Sequence, residues 1–115
     1  MVKRAVVANP MPQYDVYANP SRSAADGIPY VVVIQSDLLD ALPTRLTLPL
    51  ALLDGRLGKA PAALCPLVTV NGQRLQALGH FAAPLPARLL RRPVANLAAH
   101  SSMLVAAIDA VLSGF

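Results

Sequence analysis

The spacing of apolar residues along this chain changes character once. Up to Pro93 the hydrophobic residues come in short runs broken by turns, and after it they recur at helical intervals. "QYDVYA", residues 13–18, alternates: Tyr14, Val16 and Ala18 share one face, and Asp15 and Tyr17 the other. That is the period of a strand. Residues 30–36, "YVVVIQS", are nearly continuous and β-branched, which predicts a central strand covered on both faces. "RLTLPL" predicts a further strand over residues 45–48, alternating until Pro49. "LVTV" and "QRLQA" flank Asn71-Gly72. This pair accepts the positive φ angles of a two-residue type I′ turn, so a hairpin is expected. "ARLLRRPV", closed by Pro93, reads as a last strand. "PSRSAADGIP" is turn-rich, and residues 53–64 read as a loop or a short broken helix.

All eleven prolines lie between Pro10 and Pro93. A proline lacks the amide donor and crowds the preceding turn, so long helices are excluded from that part of the chain. Beyond it, Leu97, Leu104, Ala107, Ile108 and Val111 fall at helical spacing. Asn96 is the expected N-cap, with Ser101 and Ser102 as later candidates, and Gly114 is the expected stop. Val105, Ala106, Ala110 and Leu112 make the opposite side of this helix apolar as well. A helix that is apolar all round is buried all round. One face is therefore expected to cover the sheet and the other to meet something outside the monomer. The expected fold is mostly β with one C-terminal α-helix, a small antiparallel barrel or curled sheet. At 115 residues it has a single core.

Composition sharpens this picture in two ways. The chain is 55% hydrophobic and 14% charged, yet no apolar run is long enough to span a bilayer, so no membrane association is expected. Surface is expected to be buried twice, in the core and against a second subunit. The net charge is +4, from ten basic residues against six aspartates and no glutamate. That excess suits solubility or an acidic peptide partner. Without a dense basic run interleaved with aromatics, direct nucleic-acid binding is not expected. The single Cys65, in "LCPLV", reads as a small core residue in a reducing compartment. Residues 1–10, "MVKRAVVANP", read as an N-terminal extension.

Catalytic patterns are missing. There is no phosphate-cradling glycine loop. His80, His100 and Cys65 do not provide a metal-ligand spacing, so neither metal nor cofactor is expected. Asp37 and Asp40, in "QSDLLD", read as turn and capping residues rather than an acid–base pair. Arg88, Arg91 and Arg92 read as a solvated strand face or a dock for an acidic partner.

The order of these pieces resembles the CcdB toxins of bacterial toxin–antitoxin pairs, over about residues 11–115. The family's "VQSDIID" is matched by Ile34-Gln35-Ser36-Asp37-Leu38-Leu39-Asp40, and its "IPL" strand end by Leu48-Pro49-Leu50. Its "ADLSH" lead into the final helix is matched loosely by residues 95–100. The resemblance implies one toxin domain over residues 11–115, with an SH3-like β-barrel of the CcdB/MazF-like kind and a C-terminal helix. It implies a cytoplasmic homodimer that is not an enzyme. Such a dimer enters the A subunit of DNA gyrase and traps the cleaved complex, and it is neutralised by a CcdA-like antitoxin whose acidic, disordered tail folds on binding.

By the same resemblance, the gyrase contact falls on Asp109, Leu112, Ser113, Gly114 and Phe115. From the apolar helix the dimer interface is expected on Leu104, Ile108, Val111 and Leu112, and from their charge the antitoxin dock is expected on Arg88, Arg91 and Arg92. The family's terminal Trp-Gly-Ile aligns with Ser113, Gly114 and Phe115, and an important asparagine aligns with Asp109. Ser113 in place of the Trp removes a cation–π stack worth roughly 0.5–2 kcal/mol, although Phe115 supplies an aromatic ring two residues on. Two alternatives follow. One is a CcdB-fold protein with altered or lost gyrase activity. The other is an mRNA-cleaving toxin of the MazF-like group, for which Arg45 with Thr44 or Thr47 is the only pairing on offer.

Overall fold

A computed structural model describes residues 12–54 and 61–114. It contains seven strands and one α-helix: β1 Asp15–Ala18, β2 Tyr30–Val33, β3 Thr44–Leu52, β4 Leu67–Val70, β5 Gln73–Ala77, β6 Ala83–Pro86, β7 Ala95–Asn96 and α1 Ser101–Ser113. All strand pairings are antiparallel, in the order β4-β5-β3-β2-β1-β7, with β6 also paired to β3. The sheet curls into a nearly closed barrel.

The expected hairpin forms as read. Val70 pairs with Gln73, and Asn71 and Gly72 take φ of 48° and 85°. These are the two left-handed positions that a type I′ turn requires. β2 lies between β1 and β3 and is covered on both faces. Val32 enters the main core with Val16, Leu48, Leu50 and Leu75, while Val31 and Val33 pack on the other side with Tyr17 and Leu90.

Three expectations about strands are corrected. β1 starts at Asp15 rather than Gln13, because Tyr14 is held at φ 74°. There its amide donates to the Val33 carbonyl and its carbonyl accepts from the Leu97 amide. β3 does not stop at Pro49 but runs through to Leu52. The Pro49 carbonyl accepts from the Leu78 amide, on the side away from β2. The nitrogen of a strand residue points the same way as its carbonyl, so the missing donor costs the β2 ladder nothing. Pro49 sits where the outer neighbour of β3 changes from β6 to β5.

The segment "ARLLRRPV" is not a strand. The strand is β6, "APLP", and Ala87–Leu89 is a 3₁₀ turn after it. Buried Leu90 then anchors the chain against Tyr17, Val31 and Val33. Arg88, Arg91 and Arg92 are exposed around that anchor rather than along a strand face. Of the segment expected as a loop or broken helix, residues 55–60 lie outside the described residues, as do residues 1–11.

A candidate docking site at the end of the helix

The helix is tied to the barrel at its start. The Asn96 side chain accepts from the Ala98 amide at 2.8 Å and donates to the Asp15 carboxylate at 2.8 Å. It therefore makes an Asx turn ahead of the 3₁₀ turn Ala98–His100, but the expected cap at Asn96 is corrected: the N-cap of that turn is Leu97 and that of α1 is His100, neither with a side-chain bond to the helix. Leu97 is buried just ahead of that turn, and Leu104 and Ala107 are fully buried beyond it. Close approach is possible because residue 79 is glycine. A Cβ there would lie 2.7 Å from the Leu64 carbonyl oxygen, 3.0 Å from that of Ala107 and 3.1 Å from the Ala107 methyl.

Further along, the same stripe leaves the barrel. Ile108 is partly buried against the core and Val111 is half exposed at the end of that stripe, whereas Leu112 lies off it, on the side of Val105, and is 80% exposed. Met103 and Val105 are also exposed on the flanks of the stripe. The opposite side, expected to be buried, is exposed in the single chain and is mixed, with Val105, Ala106 and Leu112 beside Ser102, Asp109 and Ser113. At the tip the Ser113 hydroxyl donates to the Asp109 carbonyl at 2.7 Å, and Gly114 closes the helix at φ 85° with its amide on the Ala110 carbonyl. Gly114 is thus the stop expected from the sequence. Phe115 lies outside the described residues.

One candidate interface residue moves. Leu104 has no accessible surface in the single chain and sits in the main core with Leu48, Leu50 and Leu75. A side chain already enclosed by its own barrel has nothing to offer a partner, so Leu104 belongs to the core. Ile108, Val111 and Leu112 keep surface to offer. Sequence periodicity does not separate these cases, because it fixes which residues share a stripe and not where along the helix the barrel ends.

The groups that might have carried catalysis are committed to structure. Arg45 is buried and donates to the carbonyls of Asp40 at 2.9 Å, Leu42, and Thr44 at 3.0 Å. The Thr47 hydroxyl donates to the Ala83 carbonyl at 3.0 Å. Asp37 accepts from the Gln13 amide at 2.7 Å, and Ser36 caps the turn Asp37–Leu39. Cys65 is buried with its Sγ 3.8 Å from His80 Nδ1, and burial pushes its thiol pKa upward, away from a reactive thiolate. Among the described residues no three His, Cys, Asp or Glu side chains converge on a metal-sized site, and no helix is long and apolar enough to cross a membrane.

The family model described as CcdB protein matches residues 13–114. The chain belongs to the CcdB family. The curled sheet is accordingly the SH3-like barrel of that family, and the protein is a toxin of the toxin–antitoxin type. Comparison with curated proteins gives no match.

Proposed function

We propose that this CcdB-family toxin poisons DNA gyrase as a cytoplasmic homodimer, with Asp109, Leu112, Ser113, Gly114 and Phe115 forming the contact with the A subunit. The observation that carries this reading is Leu112, 80% exposed on the helical turn that Gly114 closes and beside the half-exposed Val111. An apolar side chain held in water on a rigid element is arranged for a partner. Ile108, Val111 and Leu112, with exposed Met103 and Val105 beside them, supply the surface for the second subunit. Arg88, Arg91 and Arg92 are exposed and supply the positive charge for an acidic antitoxin tail.

A second reading, a CcdB-fold protein with lost or altered gyrase activity, is favoured by one observation. Ser113 stands where the family has its stacking Trp, and its hydroxyl is turned back onto the Asp109 carbonyl. The mRNA-cleaving alternative is disfavoured because Arg45 and Thr47 are both tied to backbone carbonyls. Expression without antitoxin separates the three, in paired strains with ordinary gyrase and with a gyrase variant resistant to CcdB toxins. Killing relieved by the resistant gyrase is the expected result. Killing that ignores gyrase and degrades mRNA supports the nuclease, and no killing supports the inactive relative.

A further inference from the structure

Among the described residues other than glycine, only Tyr14 and Asn71 take a positive φ, and Tyr14 does so outside any hairpin. Residues 12–15 form a turn closed by the Asp15 amide on the Pro12 carbonyl at 3.1 Å. Only the third position of this turn, Tyr14 at φ 74°, is left-handed. That is the pattern of a type II turn, which favours glycine or asparagine there. A tyrosine is strained in that position, and such strain persists only where neighbouring contacts over-determine it.

Those contacts converge on one peptide unit. The Tyr14 amide donates to the Val33 carbonyl, at the end of β2, at 2.6 Å. On the opposite edge of the same peptide plane, the Gln13 carbonyl accepts from the Asn96 side-chain nitrogen at 3.3 Å. Asn96 is itself fixed in orientation. Its nitrogen also donates to the buried Asp15 carboxylate, and its oxygen accepts the Ala98 amide, each at 2.8 Å. The neighbouring peptides are tied separately. The Tyr14 carbonyl accepts the Leu97 amide at 2.8 Å, and the Gln13 amide donates to the Asp37 carboxylate at 2.7 Å. The Gln13–Tyr14 unit can therefore turn about its two flanking bonds while the peptides on either side stay in place. Half a rotation converts the type II turn to type I, in which Tyr14 takes an ordinary negative φ. It relieves the strain and breaks the bonds to Val33 and Asn96 together.

We propose that the Gln13–Tyr14 peptide is a two-state switch that joins the end of β2 to the entry of α1. Seated, it links the Val33 carbonyl to Asn96, and through Asn96 to the Ala98 amide at the start of the 3₁₀ turn ahead of the helix. Flipped, it takes the Gln13 carbonyl away from Asn96, and the helix entry loses its side-chain tie to the turn. The two states exchange backbone strain for two hydrogen bonds. These quantities are of similar size, so a change at either end shifts the balance. The switch goes beyond the reading of the helix tip as a gyrase contact and does not depend on it.

Nuclear magnetic resonance of the full chain reads the switch directly. Seated, the Gln13 Hα lies beside the Tyr14 amide proton; flipped, the Gln13 and Tyr14 amide protons lie beside each other, so the strong cross-peak moves from one pair to the other. Tyr14→Gly removes the strain and is expected to keep the seated cross-peak, with Ala98 amide exchange no faster than in the unaltered chain. Tyr14→Ile, β-branched, is expected to show the flipped cross-peak and to speed Ala98 exchange about tenfold. Both variants lose the phenol ring, so lost packing would move them the same way. Asn96→Ala keeps the ring and is expected to speed exchange of the Tyr14 amide roughly three- to tenfold, but less than about twofold when combined with Tyr14→Gly. Equal Ala98 exchange in the glycine and isoleucine variants overturns the inference, as does a flipped cross-peak that leaves Ala98 unmoved. A Tyr14 amide indifferent to Asn96→Ala also overturns it, and decides the matter alone if Tyr14→Ile fails to fold.

Discussion

Replacing Gly79 with alanine puts the seating of the helix on the barrel under direct strain. The new methyl would meet the Leu64 carbonyl oxygen at 2.7 Å, and that oxygen has little room to retreat because it accepts the Gly79 amide at 3.1 Å. On its far side it would meet the Ala107 carbonyl at 3.0 Å and the Ala107 methyl at 3.1 Å. Inserting a methyl into such a contact costs about 1–3 kcal/mol. Against this, alanine for glycine at an unstrained backbone position gains about 0.4–1 kcal/mol through the unfolded chain. The expected net loss is therefore about 1–2 kcal/mol, or roughly 5–15 °C in Tm. Urea unfolding followed by circular dichroism measures it, with the slope unchanged if only the folded state is affected. Adding Ala107→Gly removes one of the opposing atoms and is expected to return at least about 0.5 kcal/mol in a double-mutant cycle. A neutral or stabilising Gly79→Ala, with no coupling to position 107, would refute the seating of α1 on the turn Gly79–Phe81.

Leu104→Ala empties a fully enclosed core position and is expected to cost ~2–5 kcal/mol by the same unfolding assay. Arg45→Met removes the guanidinium donor from the Asp40 and Leu42 carbonyls, while the Thr44 carbonyl keeps the Gln35 side chain. It is expected to cost ~1–3 kcal/mol and to raise amide exchange across residues 36–43, and Arg45→Lys recovers only part because an ammonium lacks the planar fork. The Tyr17 hydroxyl is pushed up to about 12, chiefly by burial and then by the Asp15 charge, against an opposing effect of Arg45. Because the folded value lies above the ordinary value of 10.0, its contribution is intact below pH 10 and is lost as pH rises towards 12. Tyr17→Phe should flatten that part of the alkaline stability curve, as followed by near-ultraviolet titration.

Local chemistry was readable wherever it was sufficient. Asn71-Gly72 encodes its own turn, the β-branched run at Val31, Val32 and Val33 encodes a strand covered on both faces, and Gly114 marks the stop of the terminal helix. Long-range contacts decided the rest. "APLP" contains two prolines, yet it is tolerated because both missing donors fall at the outward positions of an edge strand. Pro49 passes through β3 because the outer partner changes there. The arginine segment is bent away from the sheet by the burial of Leu90, which nothing in the local pattern demands. At the candidate site, the apolar stripe from Leu104 to Val111 was legible. Where along that stripe burial gives way to exposure was not, since that depends on how far Gly79 lets the helix advance over the barrel.

The claim at the centre of this account is that the protruding last turn is the part that acts on the target. Purified gyrase, supercoiled plasmid and the toxin test it directly, with linear DNA released from trapped cleavage complexes as the readout. The full chain is expected to accumulate linear DNA, and a chain lacking residues 112–115 to accumulate none while unfolding at nearly the same urea concentration. Equal cleavage by both proteins would contradict the account.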